Sequence, residues 1–203
     1  MVRAKIPHIV KALYQDLEWS IPVSGPELFI TFDDGPIPEI TPRVLEILKA
    51  YNAKATFFCI GENVRKHPEI YRQILEEGHR TGNHTQHHIN GWKTNKINYL
   101  RQSLLCSHYV QSDLFRPPYG RISRAQAKAL KSRFRIIMWD VLSMDYDKRI
   151  SREKCLDNVV KNAGPGSIIV FHDSHKAADN MLHALPAMLD HFSKKGFRFN
   201  AIP

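Results

Sequence analysis

Short apolar runs alternate with longer amphipathic stretches along most of the chain. The short runs are rich in Leu, Ile, Val and Phe and are bounded by turn-forming residues, a pattern typical of buried strands. We predict strands over residues 28–32, 55–59, 79–83, 114–115, 135–139, 167–171 and 197–202. Apolar residues recur at helical spacing between them, and we predict helices over residues 40–52, 68–77, 94–110, 123–131, 151–162 and 179–195.

This alternation of strands and helices predicts an α/β fold with a parallel sheet. Seven strands with six helices suit an incomplete or distorted β/α barrel better than a regular eightfold barrel, and a doubly wound open sheet is the alternative. Neither a Gly-x-Gly-x-x-Gly pattern nor a Walker loop occurs in the sequence, so a nucleotide-binding fold is not indicated. The length of 203 residues suits a single domain.

Residues 1–26 precede the first predicted strand and form an N-terminal extension to a domain over residues 27–203. Five apolar residues of this extension recur at helical spacing: Ile6, Ile9, Val10, Leu13 and Leu17. We expect a helix packed on the barrel, and a helix that binds a membrane surface or a partner is the alternative.

The chain is basic, with a formal net charge of +9. Such a charge favours anionic partners, including nucleic acid. The basic residues are dispersed, however, which indicates a generally basic surface and no nucleic-acid site. No apolar run approaches the roughly 18 residues of a membrane span. The three cysteines are widely spaced and form neither a disulfide framework nor a metal pattern, which mildly favours a reducing compartment.

Charged or imidazole side chains follow five of the predicted strands. These residues are the pair Asp33 and Asp34, the segment 84–88, Arg116, Asp140 and His172. Strand ends of a parallel β/α fold open on one face, where active sites are built. The positions therefore predict an active site at the carboxyl ends of the strands.

His84 and His88 are four residues apart, so their imidazoles can converge if this stretch turns helically. Asp34 offers a third ligand from the end of another strand. Two histidines and one carboxylate suit Zn, Fe, Co, Ni or Mn, and three protein ligands leave room for water and substrate. Each signal also has a structural alternative: a turn at Asp33 and Asp34, surface histidines, a surface ion pair for Arg116, and a buried structural His172.

Three segments resemble the signatures of one family. Residues 31–36 (TFDDGP), 84–88 (HTQHH) and 116–120 (RPPYG) look like the first three motifs of the polysaccharide deacetylases, carbohydrate esterase family 4 with its NodB-homology domain. The resemblance extends from about residue 28 to the C-terminus. It implies a distorted (β/α)7 barrel and the hydrolysis of N-acetyl groups on sugars.

The resemblance also implies a role for each matching residue. Asp33 would be the general base, while Asp34, His84 and His88 would hold one divalent metal, with zinc expected first.

The other matching residues would surround that centre. Arg116 would orient Asp33, and the Tyr119 backbone N–H would stabilise the oxyanion. His172 would be the general acid, with Tyr146 and Val170 as candidates for an apolar wall around the acetyl methyl.

The sequence departs from the family's fourth signature, approximately Asp-x-x-Asp-Trp. Its first aspartate, which supports the acidic histidine in the family, aligns with Leu142. We therefore expect His172 to lack its usual partner, with Asp145 or Asp140 as possible substitutes.

The expected substrate is a glycan that contains N-acetylglucosamine, either peptidoglycan or a chitin-like oligomer. Alternatives are an esterase on acetylated xylan, an amidase on a small molecule, and a catalytically silent glycan-binding module that still holds metal. No secretory-signal pattern occurs at the N-terminus, which favours the cytoplasm, whereas a polymeric substrate favours the cell envelope. The sequence does not indicate an oligomeric state.

Overall fold

A parallel β-sheet forms the centre of the protein, for which the computed structural model describes residues 4–203. Within those residues the strands are β1 (Glu27–Asp33), β2 (Ala55–Cys59), β3 (Arg80–Asn83), β4 (Leu114–Phe115), β5 (Arg135–Ile136), β6 (Val141–Leu142), β7 (Ile168–His172) and β8 (Arg198–Phe199). The order across the sheet is β5-β4-β3-β2-β1-β7-β6, and β8 pairs with the start of β1. The predicted distorted (β/α)7 barrel in one domain is confirmed.

Helices connect the strands and cover the outside of the sheet. In the described residues they are α1 (His8–Leu13), α2 (Thr41–Ala50), α3 (Gly61–Lys66), α4 (Pro68–Glu76), α5 (Lys96–Cys106), α6 (Arg124–Leu130), α7 (Arg152–Val160) and α8 (Ala178–Ser193). Two short 3₁₀ turns lie at Gly91–Lys93 and Pro118–Gly120. All six predicted helices are present, and α3 is an additional short helix that the sequence pattern did not show.

Strand β1 explains how the sequence places its polar residues. Its side chains alternate between two faces, as in any strand. Ile30 and Phe32 pack under the helices in the largest apolar cluster. Thr31 and Asp33 point to the other face, the barrel interior, where both are buried. The apolar run thus secures the strand, and its last residue carries a carboxylate into the interior.

The predicted strand over residues 135–139 is reduced to β5 in the structure, and a further strand that was not predicted, β6, follows it. We call β5 and β6 together the divided strand. β5 pairs with β4, and the chain then crosses to pair as β6 with β7. Each piece has only two residues, which is too short for a periodic pattern to reveal in the sequence. This divided strand connects the two edges of the sheet and completes the distorted barrel.

The N-terminal extension binds along this divided strand. Its helix is shorter than the apolar spacing predicted, because it covers only His8–Leu13, and none of its residues is buried. Contact with the barrel is made by the buried side chains of Leu17 and Trp19, with Val10 of α1 packed beside them. Backbone bridges from Lys5 to Val141, from Glu18 to Ile137 and from Ser20 to Ser167 add to it. The first three residues of the predicted extension lie outside the described residues. We call residues 4–20 the N-terminal strap.

Across residues 4–203, the structure contains no helix with the length and apolar character needed to cross a membrane.

Candidate active site

The turn after β1 directs two adjacent carboxylates to different places. Asp33 lies next to His172 in the strand register, whereas Asp34 has a positive φ of 86° that turns its side chain away. The Asn63 side chain donates to the Asp34 carbonyl at 2.7 Å, and the Gly35 N–H donates to Asp173 Oδ1 at 2.9 Å. A Cβ at position 35 would lie only 2.0 Å from Asp173 Oδ2, so the turn requires glycine there.

Asp34, His84 and His88 converge at this turn. Asp34 Oδ1 lies 3.2 Å from His88 Nε2 and 3.8 Å from His84 Nε2. One ligand atom from each residue lies within 4.8 Å of the others. Asp34 Oδ1 is buried and has no hydrogen-bond partner among residues 4–203. A buried carboxylate oxygen facing two imidazole nitrogens is costly unless a cation joins them, so these residues fit a divalent metal.

His84 and His88 have the protonation state that metal binding requires. His84 Nδ1 lies 2.8 Å from the Arg116 carbonyl, which favours a proton on Nδ1 and leaves the Nε2 lone pair facing Asp34. Burial lowers the pKa of His84 to about 4 and also lowers the pKa of His88. Both imidazoles are therefore neutral near pH 7, the state in which histidine binds metals.

Arg116 holds the second carboxylate. Its fully buried guanidinium donates to Asp33 Oδ1 at 2.7 Å, to Thr31 Oγ1 at 2.6 Å and to the Met138 carbonyl at 2.9 Å, and it stacks over Phe58. Burial acts to raise the pKa of Asp33, but the charge and hydrogen bond of Arg116, together with the nearby histidines, outweigh it, and the pKa falls below its usual value. Asp33 is therefore an ionised acceptor with a fixed orientation.

His172 has a carboxylate partner, contrary to the expectation from Leu142. Asp145 Oδ1 lies 2.8 Å from His172 Nδ1, and Asp145 Oδ2 accepts the His172 backbone N–H at 2.7 Å. Burial acts to lower the pKa of His172, but the charge and hydrogen bond of Asp145 raise it to about 9. The imidazole is thus held as a cation, with Nε2 left to face the site.

Asp140, the other candidate partner for His172, lies elsewhere. Its carboxylate binds Lys5 at 2.5 Å, also binds Lys11, and accepts from Ser167 Oγ at 2.6 Å. Asp140 precedes β6, so it lies toward the amino end of that strand and anchors the N-terminal strap.

Tyr119, Tyr146 and Val170 border the same centre. Tyr119 lies in the 3₁₀ turn after β4 with a φ of 60°, and its ring centroid is 4.5 Å from that of His88. The Tyr146 ring is 5.2 Å from that of His172. Val170 precedes His172 by two residues on the same face of β7 and is buried. The structure therefore brings together every predicted site residue except Asp140.

Asp173 is a residue of the site to which the sequence analysis assigned no role. Besides the Gly35 N–H, it accepts from Thr41 Oγ1 at 2.6 Å. Burial, together with the nearby Asp34, raises its pKa to about 8. An acidic residue after a buried strand was a visible signal, but its partners lie more than 130 positions away in the chain. Only the fold shows that it supports the turn at Asp34.

Comparison with known proteins gives the family. The polysaccharide deacetylase profile matches residues 20–133. A peptidoglycan-N-acetylglucosamine deacetylase of Bacillus cereus is 37% identical over 193 residues, covering 91% of this chain and 70% of the relative. A chitooligosaccharide deacetylase of Azorhizobium caulinodans is 37% identical over 155 residues, covering 72% of this chain and 73% of the relative.

The fold agrees with that assignment. The crystal structure of a peptidoglycan N-acetylglucosamine deacetylase superposes with a TM-score of 0.89 at 35% identity, covering 98% of this chain and 95% of the other. The strand-end carboxylates and histidines described above lie in a barrel of the same architecture. The chain therefore belongs to the polysaccharide deacetylase family of hydrolases.

Proposed function

We propose that this protein is a metal-dependent deacetylase that removes N-acetyl groups from a glycan containing N-acetylglucosamine and releases acetate. The observation that carries this proposal is the buried Asp34 Oδ1, which faces two neutral imidazoles and has no hydrogen-bond partner in residues 4–203. The names of the relatives support the substrate class, because they are deacetylases of peptidoglycan and of chitooligosaccharides.

Asp34, His84 and His88 would hold the metal, and we propose zinc, although the same donors also accept Co, Ni, Mn and Fe. A divalent metal there lowers the pKa of water and polarises a carbonyl oxygen.

Asp33 would act as the general base. Arg116 keeps the Asp33 carboxylate ionised and fixes its orientation, so that Asp33 can accept a proton from the attacking water. The buried guanidinium has other acceptors in Thr31 and the Met138 carbonyl, which hold it in place while Asp33 changes its protonation state.

His172 would act on the opposite side of the reacting carbon. An amide nitrogen leaves as an amine only when it receives a proton, and a histidine with a raised pKa carries that proton at neutral pH. Asp145 fixes the orientation of the ring through Nδ1, so that Nε2 is the donor. The Tyr119 backbone N–H would stabilise the developing oxyanion, a contribution of about 3 kcal/mol for one such donor.

Tyr146 and Val170 would form the apolar wall around the acetyl methyl, because both lie beside His172. The glycan chain itself would extend over the open face of the barrel, along the loops that follow β3 and β4.

The test is an acetate-release assay on chitin oligomers, peptidoglycan and acetylated xylan. We expect acetate from one of the two N-acetylated glycans, and a loss of roughly 100-fold or more in Asp33→Asn, because general-base catalysis contributes about that much. Asp157→Asn is the matched control, since it makes the same change on the exposed face of α7. Acetate from the xylan alone, from no substrate, or undiminished from Asp33→Asn would refute the proposal.

A further inference from the structure

Trp92 is a large apolar side chain exposed beside the active site. Its exposed fraction is 65%, and it lies in the 3₁₀ turn Gly91–Lys93, four residues after the metal-site residue His88. Single exposed apolar residues are common on protein surfaces, so exposure alone indicates nothing. The informative feature is that this exposed ring is held rigidly.

Two contacts hold the indole, and a third fixes the Trp92 backbone. Trp92 Nε1 donates to the Ile122 carbonyl at 3.2 Å, and the Trp92 backbone N–H donates to Asn90 Oδ1 at 3.0 Å. The Arg121 guanidinium lies over one face of the ring, 5.1 Å from its centroid. One edge and one face are thus occupied by the protein, and the exposed area must come from the opposite face and the outer edge.

The turn beneath the indole is also fixed. The Gly91 N–H donates to the Arg121 carbonyl at 3.1 Å, and Gln126 Nε2 donates to the Gly91 carbonyl at 2.9 Å. A Cβ at position 91 would lie 2.3 Å from the Arg121 carbonyl oxygen, so only glycine allows this approach. These bonds tie the loop after β3 to the loop after β4.

Both loops also carry residues of the catalytic centre. The first holds His88 and the second holds Tyr119, a residue that is 61% exposed and whose ring packs against His88. Four residues separate His88 from Trp92, which limits the distance between their Cα atoms to roughly 14 Å. Tyr119 packs against His88, and Arg121, two residues later in the same loop, lies over Trp92, so these contacts link the metal site to the indole.

We propose that Trp92, backed by Arg121, forms a binding subsite for a pyranose ring of the glycan chain, next to the sugar whose acetamide enters the metal site. This inference rests on the proposed function. The C–H face of a pyranose is apolar and can pack on the open indole face, while Arg121 supports the indole from its other face. A rigid platform suits this ligand, because little side-chain entropy is lost on binding.

The subsite predicts a dependence on chain length. Short substrates that fill only the metal site do not reach Trp92, whereas longer oligomers do. We expect Trp92→Ala to raise KM for long chitin oligomers roughly five- to thirty-fold, the effect of losing one aromatic contact. The kcat value is expected to change little, because Trp92 does not touch the reacting atoms, and the shortest substrate turned over is expected to show no change.

The kinetic test compares Trp92→Ala, Trp92→Tyr and wild type on chitin oligomers of increasing length. Trp92→Tyr retains an aromatic face and is expected to restore most of the length dependence. Ile97→Ala is the matched control, because Ile97 is an apolar side chain of neighbouring α5 with an exposed fraction of 82%. Wild-type length dependence in Trp92→Ala would overturn the proposal, as would an equal loss in Ile97→Ala.

A binding measurement covers the case in which Trp92→Ala disturbs the loop. Tryptophan emission of the Asp33→Asn variant, which is expected to consume substrate roughly 100-fold more slowly, is followed during titration with a long chitin oligomer. We expect a shift to shorter wavelength that disappears when Trp92→Phe is added, since the other two tryptophans are Trp19 and Trp139. No shift, or a shift that persists in the double variant, overturns the subsite. Absence of acetate release by wild type on every substrate contradicts the proposed function instead, whatever the emission shows.

Discussion

Five non-glycine residues of the site loops have a left-handed backbone conformation. They are Asp34, Thr85, His88, Tyr119 and Met144, with φ between 52° and 86°. Such a conformation costs an L-residue about 1–3 kcal/mol and persists only where neighbouring contacts impose it. At Asp34 those contacts are the hydrogen bonds from Asn63 to its carbonyl and from Gly35 to Asp173. The backbone strain is therefore concentrated in the loops whose side chains must point to the centre of the site.

Asp145 keeps His172 protonated, which can be tested by substitution. Burial acts to lower the pKa of His172, and replacing Asp145 with Asn removes the charge that raises it most, so that pKa must fall from about 9. His172 then loses its proton at lower pH, and the alkaline limb of the kcat profile should move toward neutral pH. We also expect kcat to fall by at least tenfold near pH 8, because a residue that orients a catalytic histidine contributes at least that much.

Asp147→Asn is the control for this experiment. It removes a carboxylate two residues further on that binds Arg149 and not His172. Equal displacement of the alkaline limb in the two variants would contradict the assignment of Asp145.

The sequence predicted most of the site because its residues follow strands. Asp33, Asp34, His84 and His88 could be placed on one face from the strand pattern alone. The partner of His172 could not, because the choice between Asp145 and Asp140 depends on where the chain turns after β6. Asp173 was visible as a polar residue after a strand, but its acceptor role depends on a turn far away in the chain.

At the scale of elements, the N-terminal strap and the divided strand depend on each other. β5 and β6 each have one partner strand, and their other edges are covered by the strap through bridges to Ile137 and Val141. Apolar spacing suggested a longer helix in this segment, but extended backbone pairing with exposed strand edges outweighs local helix propensity.

Ion pairs between Asp140 and two lysines also hold the N-terminal strap on the barrel. Asp140 is buried and binds Lys5, Lys11 and Ser167, so Asp140→Asn should lower the free energy of unfolding by about 1–3 kcal/mol in urea denaturation. Acetate release by the folded variant should stay close to wild type, since Asp140 does not contact the site.

The stability that Asp140 contributes is expected to decrease at acidic pH. Burial acts to raise the pKa of Asp140, but the two lysines lower it below the ordinary value of 3.8. Its contribution is therefore complete above about pH 4 and is lost as the pH falls through the folded-state pKa. Asp157→Asn, which breaks an exposed pair with Lys161, should cost less than about 0.5 kcal/mol. Equal destabilisation by the two substitutions would contradict the anchoring role of Asp140.

At the scale of the whole molecule, the barrel gathers distant residues at one end. The catalytic centre draws on the ends of β1, β3, β4, β6 and β7. The alternation of strands and helices was sufficient to predict this arrangement, because parallel strands with helical crossovers open their carboxyl ends on one face. The pattern was not sufficient for β6 or for the exact helix limits, where two-residue strands and frayed helix ends leave little signal.

Acetate release is expected to depend on a metal held by Asp34, His84 and His88. The most direct measurement removes metal from the protein with a chelator and then follows bound zinc and acetate release together during titration. We predict that activity is lost on removal and returns in proportion to zinc up to about one ion per chain. The metal should also stabilise the fold by about 2.7 kcal/mol at one hundred times its Kd, and His88→Gln should abolish that stabilisation. Full acetate release by metal-free protein, or unchanged zinc binding by His88→Gln, would contradict the account.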